Sequence, residues 1–357
     1  MSNGSSTVWE PMAPGSSEST GGGRRDGSGQ SFPNPQQSLG IRPYDTADAA
    51  VWDDLVARSC NGTLLHTRRY LDYHGSRFRD RSLVIEDGRG KIVGVFPAAE
   101  SSPSVVASHP GLTYGGVVHD GSVRGDRMLD VLRLVASRME AQGYRDLLYK
   151  VVPFIYHGWP ADDDRYSLSR MGGSSECDLS AAICIDHRGG VSHGRKSGRK
   201  LAARAGVKAQ IGWKRIDEFW ALLAQALSER HQAAPVHSLE EINRLHDSFP
   251  KEILLCTALV DGSIAAGTVL YCAGPVVHTQ YIASSSAGRA VSALDPVIEQ
   301  SIEFAETHGY RYLDFGISNE GHGGALNTSL HDFKISFGAG AVIYEQIRLR
   351  LRQQETT

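Results

Sequence analysis

Beyond about residue 40 the chain alternates short apolar runs, of the length strands need, with longer stretches whose apolar positions recur at helical intervals. The first such stretch, residues 49–58, carries Val51, Leu55 and Val56 at helical spacing and predicts a helix. Ahead of it, residues 1–38 are rich in Ser, Gly, Pro and Gln and too poor in apolar side chains to bury a core, so a disordered tail is expected there.

The order of predicted elements then repeats. In a first segment, strand-like residues 82–86 meet the turn Asp87-Gly88, followed by strands at 92–98 and near 116–118, a helix over 127–142, the tripeptide Gly143-Tyr144-Arg145 and a strand at 147–149. In a second, 254–260 meet Asp261-Gly262, followed by strands at 264–272 and 276–283, a helix over 292–307, Gly309-Tyr310-Arg311 and a strand at 312–315. Self-similarity of this kind predicts one unit present twice. Each copy reads hairpin, strand, helix, strand, a mixed α/β order in which the helix crosses over to a neighbouring strand, and the glycine after each helix is a natural C-terminal cap. We expect a first domain over residues 39–185, a basic connecting segment over 186–215 and a second domain over 216–357.

Length agrees with two units, since 357 residues exceed the roughly 250–300 at which single cores stop growing. Apolar residues at 41% and charged residues at 22% are ordinary globular usage, which argues for a packed body. The longest apolar runs fall well short of the roughly 18–20 residues of a membrane helix, and the N-terminus lacks a basic start followed by an apolar run, so a cytoplasmic protein is expected. Five scattered cysteines form no CxxC pair, which points to reduced structural residues, and no metal is expected. No GxSxG elbow, P-loop or HExxH motif occurs, so hydrolase, nucleoside-triphosphatase and zinc-protease readings lack support.

The second copy, with YRYLDFG at 310–316, Leu326-Asn327 and FKISFG at 333–338, resembles the Fem family of peptidoglycan-bridge aminoacyltransferases and the FemAB-like branch of the GNAT acetyltransferase superfamily. The resemblance covers roughly residues 41–350 and implies two tandem GNAT-like (acyl-CoA N-acyltransferase-like) α/β domains with mixed sheets and crossover helices. It further implies acyl transfer from aminoacyl-tRNA or acyl-CoA donors, to acceptors ranging from cell-wall precursors to sugars and natural products. The chain departs from the family in two ways. It lacks the long heptad-patterned hairpin of several bridge-forming members, and its segment SSSAGRAV at 284–291 holds one glycine instead of the paired-glycine cradle that ordinary acetyltransferases place on the coenzyme A pyrophosphate.

Direct acyl transfer needs a neutral acceptor amine, donors for the developing oxyanion and a route for a proton. Lys334 stands where the resemblance implies a lysine that contacts substrate phosphate and developing charge. Asp314 ends a strand-like run, a place where α/β ligand sites gather, and either positions the amine or caps the following turn. His278 and Gln280 share one face of a predicted strand, Thr279 and Tyr281 the other, and one face is expected to line a cleft with His278 as base. Phe333 and Ser318 flank these positions, and Glu320 lies in a Gly-rich loop that is either an acceptor lid or a solvated turn. Tyr114 and Tyr156, in aromatic stretches of the first copy, are candidates for the acceptor pocket.

Between Arg188 and Arg215 lie nine basic residues and no acid, in a chain whose net charge is −3. Arg195, Lys196, Arg199, Lys200 and Arg204 form a candidate surface for tRNA or another phosphate, with a solvated helix face as the alternative. The sequence therefore points to an amide-forming aminoacyltransferase that holds no tight cofactor, draws on aminoacyl-tRNA and serves a small or peptide-like amine. An acyl-CoA-dependent N-acyltransferase acting on an amino sugar or polysaccharide precursor, and a non-catalytic binding scaffold, are the rival readings.

Overall fold

The computed structural model describes residues 38–351, so the tail expected to be disordered lies, apart from Ser38, outside the described residues. The first copy contributes strands β1 (Leu39–Pro43), β2 (Leu83–Asp87), β3 (Ile92–Phe96), β4 (Ala99–Ser102), β5 (Val105–Ala107), β6 (Val118–His119) and β7 (Asp146–Lys150). Its helices are α1 (Ala49–Arg58), α2 (Arg68–Leu71), α3 (Asp126–Ala141) and α4 (Asp163–Arg170). Next come β8 (Ser174–Cys184), α5 (His193–Arg204), β9 (Ala209–Ile211), α6 (Ile216–His231) and α7 (Leu239–Ser248). The second hairpin is β10 (Ile253–Val260) and β11 (Ser263–Ala273), followed by β12 (Val276–Ser284), α8 (Ser286–Ala290), α9 (Leu294–Thr307), β13 (Tyr312–Ile317), α10 (Thr328–Ile335) and β14 (Gly340–Arg350).

The crossover helices fold for the reason the pattern gives. On α3, Met128, Val131, Leu132, Val135 and Met139 recur at helical spacing and are fully buried; on α9, Val297, Ile298, Ile302 and Ala305 do the same. Burying each such aliphatic side chain contributes roughly 1.5–3 kcal/mol, enough for the packed face to hold the helix on its sheet. Both helices stop at a glycine with positive φ, Gly143 at 89° and Gly309 at 75°, a conformation that costs a residue with a Cβ.

Strands β1-β2-β3-β6 make a small sheet, and the other ten join in the order β4-β5-β7-β14-β8-β13-β12-β11-β10-β9. The C-terminal strand β14 lies between β7 and β8 and so stitches the two copies into one sheet. Two features differ from the sequence reading. The strand equivalent to β12 in the first copy is β5, because β5 pairs parallel with β7 as β12 does with β13; the strand expected near 116–118 is β6, an addition to the small sheet. Residues 174–184, placed by sequence in the first domain, form β8, which pairs with β13 and β14, and the basic segment folds as α5 against α9. Strand pairing is nonlocal, and neither fact is encoded in a local period.

Candidate active site

The parallel ladder of β12 and β13 has three rungs, Val276 with Tyr312, Val277 with Leu313 and His278 with Asp314, and then stops. β12 runs on to Ser284, while β13, paired with β8 from Tyr312 onward, shifts register after Asp314 and follows β8 as far as Ile317 opposite Ser180. A bulge on the other side of β12 places Val269 opposite Tyr281 and Leu270 opposite Thr279, so Gln280 has no cross-strand partner. The result is a wedge between diverging parallel strands, where open α/β sheets bind ligands.

Asp314 sits at its apex, fully buried. Its Oδ2 accepts from Tyr344 at 2.5 Å, Tyr156 at 2.8 Å and His278 Nδ1 at 2.9 Å; its Oδ1 accepts from Ser180 at 2.7 Å and the Gly316 N–H at 3.1 Å. Burial alone would raise its pKa, but the His278 contact, followed by the Tyr344 and Ser180 donors, outweighs it and holds the carboxyl well below the usual range. With Nδ1 on the carboxylate, the Nε2 of His278 has no hydrogen-bond partner among the described residues, and the side chain is 14% exposed. A carboxylate that fixes the tautomer and leaves a bare Nε2 lone pair is the arrangement of a general base. His278 opens on a narrow cleft whose other wall is Leu65, Thr113, Tyr114 and Tyr156 of the first copy.

Lys334 lies on α10, whose start is capped by Asn327 accepting from the Leu330 N–H at 3.0 Å. It is buried, and its ammonium donates to the Gly316 carbonyl at 2.8 Å, the Ile317 carbonyl at 2.6 Å and Ser318 Oγ at 3.0 Å. All three donors therefore hold the end of β13, where the sequence reading aimed them at substrate. Burial lowers its pKa to about 8, with the Asp314 charge opposing. Lys334 and Phe333 also line a cavity of about 540 Å³, together with Leu223 and Leu227 of α6, Ile282 of β12 and Asp295 of α9. Gly288 of α8 is needed for packing: a Cβ there would sit 2.0 Å from the Ala265 carbonyl oxygen. The start of α9 carries Asp295 and then Pro296, which supplies no N–H.

The remaining candidates divide. Tyr281 leaves the wedge, with its hydroxyl 2.5 Å from His237 Nδ1, and Tyr114 is buried against Tyr156, donating to Thr63 at 3.3 Å. Ser318 receives Lys334, while Glu320 is exposed and its loop is pinned by Asp178, which accepts from Gly323 N–H at 2.9 Å and contacts His322 at 3.1 Å. In the basic block, Arg195 pairs with Asp295 at 3.2 Å and lies over Phe333 and Phe337, and Arg199 pairs with Glu299 at 3.2 Å. Lys196, Lys200 and Arg204 are exposed and make no ion pair among the described residues. Sequence reasoning missed Tyr344, Ser180 and Asp295, which come from strands and a helix far apart in the chain and carry no local signal. Among the described residues, no group of three His, Cys, Asp or Glu is placed to hold a metal ion, and no helix is long and apolar enough to cross a membrane.

Residues 191–324 match the family model described as "Acetyltransferase (GNAT) domain". Among solved structures, FemX is 14% identical with a TM-score of 0.63 over 86% of this chain and 96% of its own. L-PGS from Bacillus licheniformis is 11% identical with a TM-score of 0.57, over 88% and 94%. A conserved Bacteroides thetaiotaomicron protein of unknown function is 11% identical with a TM-score of 0.56, over 88% and 100%. No curated protein matches the sequence significantly.

Proposed function

We propose that this GNAT-superfamily acyltransferase forms an amide by moving an aminoacyl group, supplied by aminoacyl-tRNA, onto the amine of a small or peptide-like acceptor. The observation that carries the reading is the His278–Asp314 pair at the apex of the wedge, with His278 lining the cleft. The acceptor amine enters the cleft beside Tyr114 and Tyr156 and attacks the ester carbonyl of a donor held in the cavity. His278 Nε2 takes the proton released from the amine, and backbone N–H groups freed by the Gln280 bulge and the strand divergence receive the oxyanion. The C–O bond then breaks, and the protonated His278 returns the proton to the departing ribose hydroxyl. Lys334 holds the β13 end that shapes this mouth.

Three features support a tRNA donor. The start of α9 is unsuited to a pyrophosphate because it offers a carboxylate and a proline. The exposed cations Lys196, Lys200 and Arg204 ride on the helix that also sends Arg195 to the cavity. The fold is shared with FemX and L-PGS. The match to an acetyltransferase domain favours the rival donor, acyl-CoA. Labelled aminoacyl-tRNA and acyl-CoA are offered in turn over a salt series. A tRNA donor should lose roughly tenfold or more in binding between 50 and 200 mM salt, and replacement of Lys196, Lys200 and Arg204 by Glu should flatten that slope. Ribonuclease-resistant transfer from acyl-CoA would overturn the donor assignment.

A further inference from the structure

Asp314 receives more donors than its local strand supplies, and they arrive from four places: Ser180 from β8, His278 from β12, Tyr344 from β14, and Tyr156 from the short helical turn Phe154–Tyr156 of the first copy. Three of them, Tyr344, Tyr156 and His278, crowd one oxygen, Oδ2, within 2.9 Å. The two phenols also lie 3.0 Å apart, and Tyr156 is 3.3 Å from His278 Nδ1, so the four groups form one connected cluster that is buried except at His278. Such a cluster is costlier than an apolar one of the same shape unless every member is used, since a buried phenol that merely fills space needs no hydroxyl. Resting on the base role proposed for His278, we propose that Tyr156 and Tyr344 are positioning residues, which fix the Asp314 carboxylate, spread its charge and thereby hold the His278 imidazole by its Nδ1 for its part in the reaction.

Each phenol draws negative charge away from the oxygen that faces the imidazole, so the imidazolium is less stabilised than it would be beside a bare carboxylate. The phenols stay protonated as donors, since burial and then the Asp314 charge push both well above the ordinary tyrosine range. The other titratable groups that act on the pair are Lys334 from α10 and Tyr114 from the first copy. Through Tyr156, the first copy supplies a member of the second copy's centre, so the centre is incomplete in the second copy alone.

Tyr344→Phe and Tyr156→Phe keep the ring packing and remove one donor each; Ser180→Ala removes a donor from Oδ1 and serves as a third variant should either phenylalanine fail to fold. His278 is titrated by NMR in the substrate-free, full-length protein, and the pH profile of turnover is measured beside it. The expected result is an upward shift of the His278 titration by about 0.5–1 pH unit in each variant, with the acid limb of the turnover profile moving up by the same amount. An unchanged His278 titration in the folded variants overturns the positioning role. A shifted titration with an unmoved turnover profile upholds that role and removes His278 as the base.

Discussion

The two copies of the unit share the register of their parallel ladder and part at its last rung and in the loop beyond it. In the second copy the parallel ladder joins residues 276–278 to 312–314; in the first it joins 105–107 to 146–148 with the same register. The strand entry is also repeated: Arg311 N–H bonds the Pro275 carbonyl at 2.8 Å, and Arg145 N–H bonds the Ser104 carbonyl at 2.8 Å. At the last rung, however, the second copy has His278 with Asp314 and the first has Ala107 with Leu148. Beyond it β12 continues, whereas β5 ends in a tight turn at His109, φ 66°, and residues 108–115 fold over the end of β7. Lys150 fastens that loop by donating to the carbonyls of His109, Pro110 and Leu112, at 3.4, 3.1 and 2.7 Å. A duplicated fold thus retains its strands while one copy keeps the open wedge and the other closes it and becomes a wall of the cleft.

The sharpest test exchanges the last rung. His278→Gln should lower turnover roughly 10²–10⁴-fold with little loss of stability, the usual range for a general base. The counterpart change Leu148→Ala should leave turnover per folded molecule unchanged and only lower the melting temperature. Equal effects on turnover would dissolve the division between the copies.

The two clamping lysines give the next comparison. Lys334→Met leaves the Gly316 and Ile317 carbonyls without their donor, and we expect a stability loss of about 1–3 kcal/mol, the cost of such unsatisfied groups. Turnover should fall with it, by roughly 10² if the wedge mouth holds the oxyanion donors in place. Lys150→Met should cost similar stability in denaturant titration and leave turnover per folded molecule intact. A parallel loss of turnover in both would show that the first copy's loop also shapes the reaction.

The smallest effect is in acid. Burial lowers the pKa of His66 and His119 to about 4 and of His109 to about 3, all in the first copy, against one such histidine, His237 at about 4, in the second. A histidine held neutral in the folded state contributes stability that is complete above its unfolded pKa, near 6.5, and is lost as pH falls toward the folded value. Asp164, also in the first copy and raised by burial to about 6, works in the opposite direction between about 6 and 3.8. The histidines outnumber the one opposing carboxylate, so the net expectation is a stability that falls as pH drops below 6. His66→Gln should flatten that slope; an unchanged slope would move the acid sensitivity elsewhere.

Much of the second copy's centre was legible. Asp314 on its strand and the histidine on β12 were marked by their immediate neighbours, whereas Tyr156 stood out only as an aromatic of a candidate acceptor pocket and its place beside Asp314 did not. Lys334 was found by the FKISFG motif, but its contacts were not, since nothing in the motif shows whether an ammonium turns toward solvent or toward two carbonyls and a hydroxyl sixteen to eighteen residues earlier. The basic block was visible as charge, whereas the pairing of Arg195 and Arg199, and not of Lys196, Lys200 and Arg204, depended on the acids of α9.

By itself the sequence determined the duplication, the two crossover helices and their glycine stops, for these rest on periods of two and 3.6 residues and on backbone preferences that act within a few positions. Only the tertiary structure decided that β14 returns between β7 and β8, bringing Tyr344 to Asp314 over thirty residues of chain and Tyr156 to it over 158. The physical reason is that hydrophobic pattern fixes which face of an element is buried, while the partner across that face is chosen by strand pairing and by the hydrogen bonds a buried carboxylate must find.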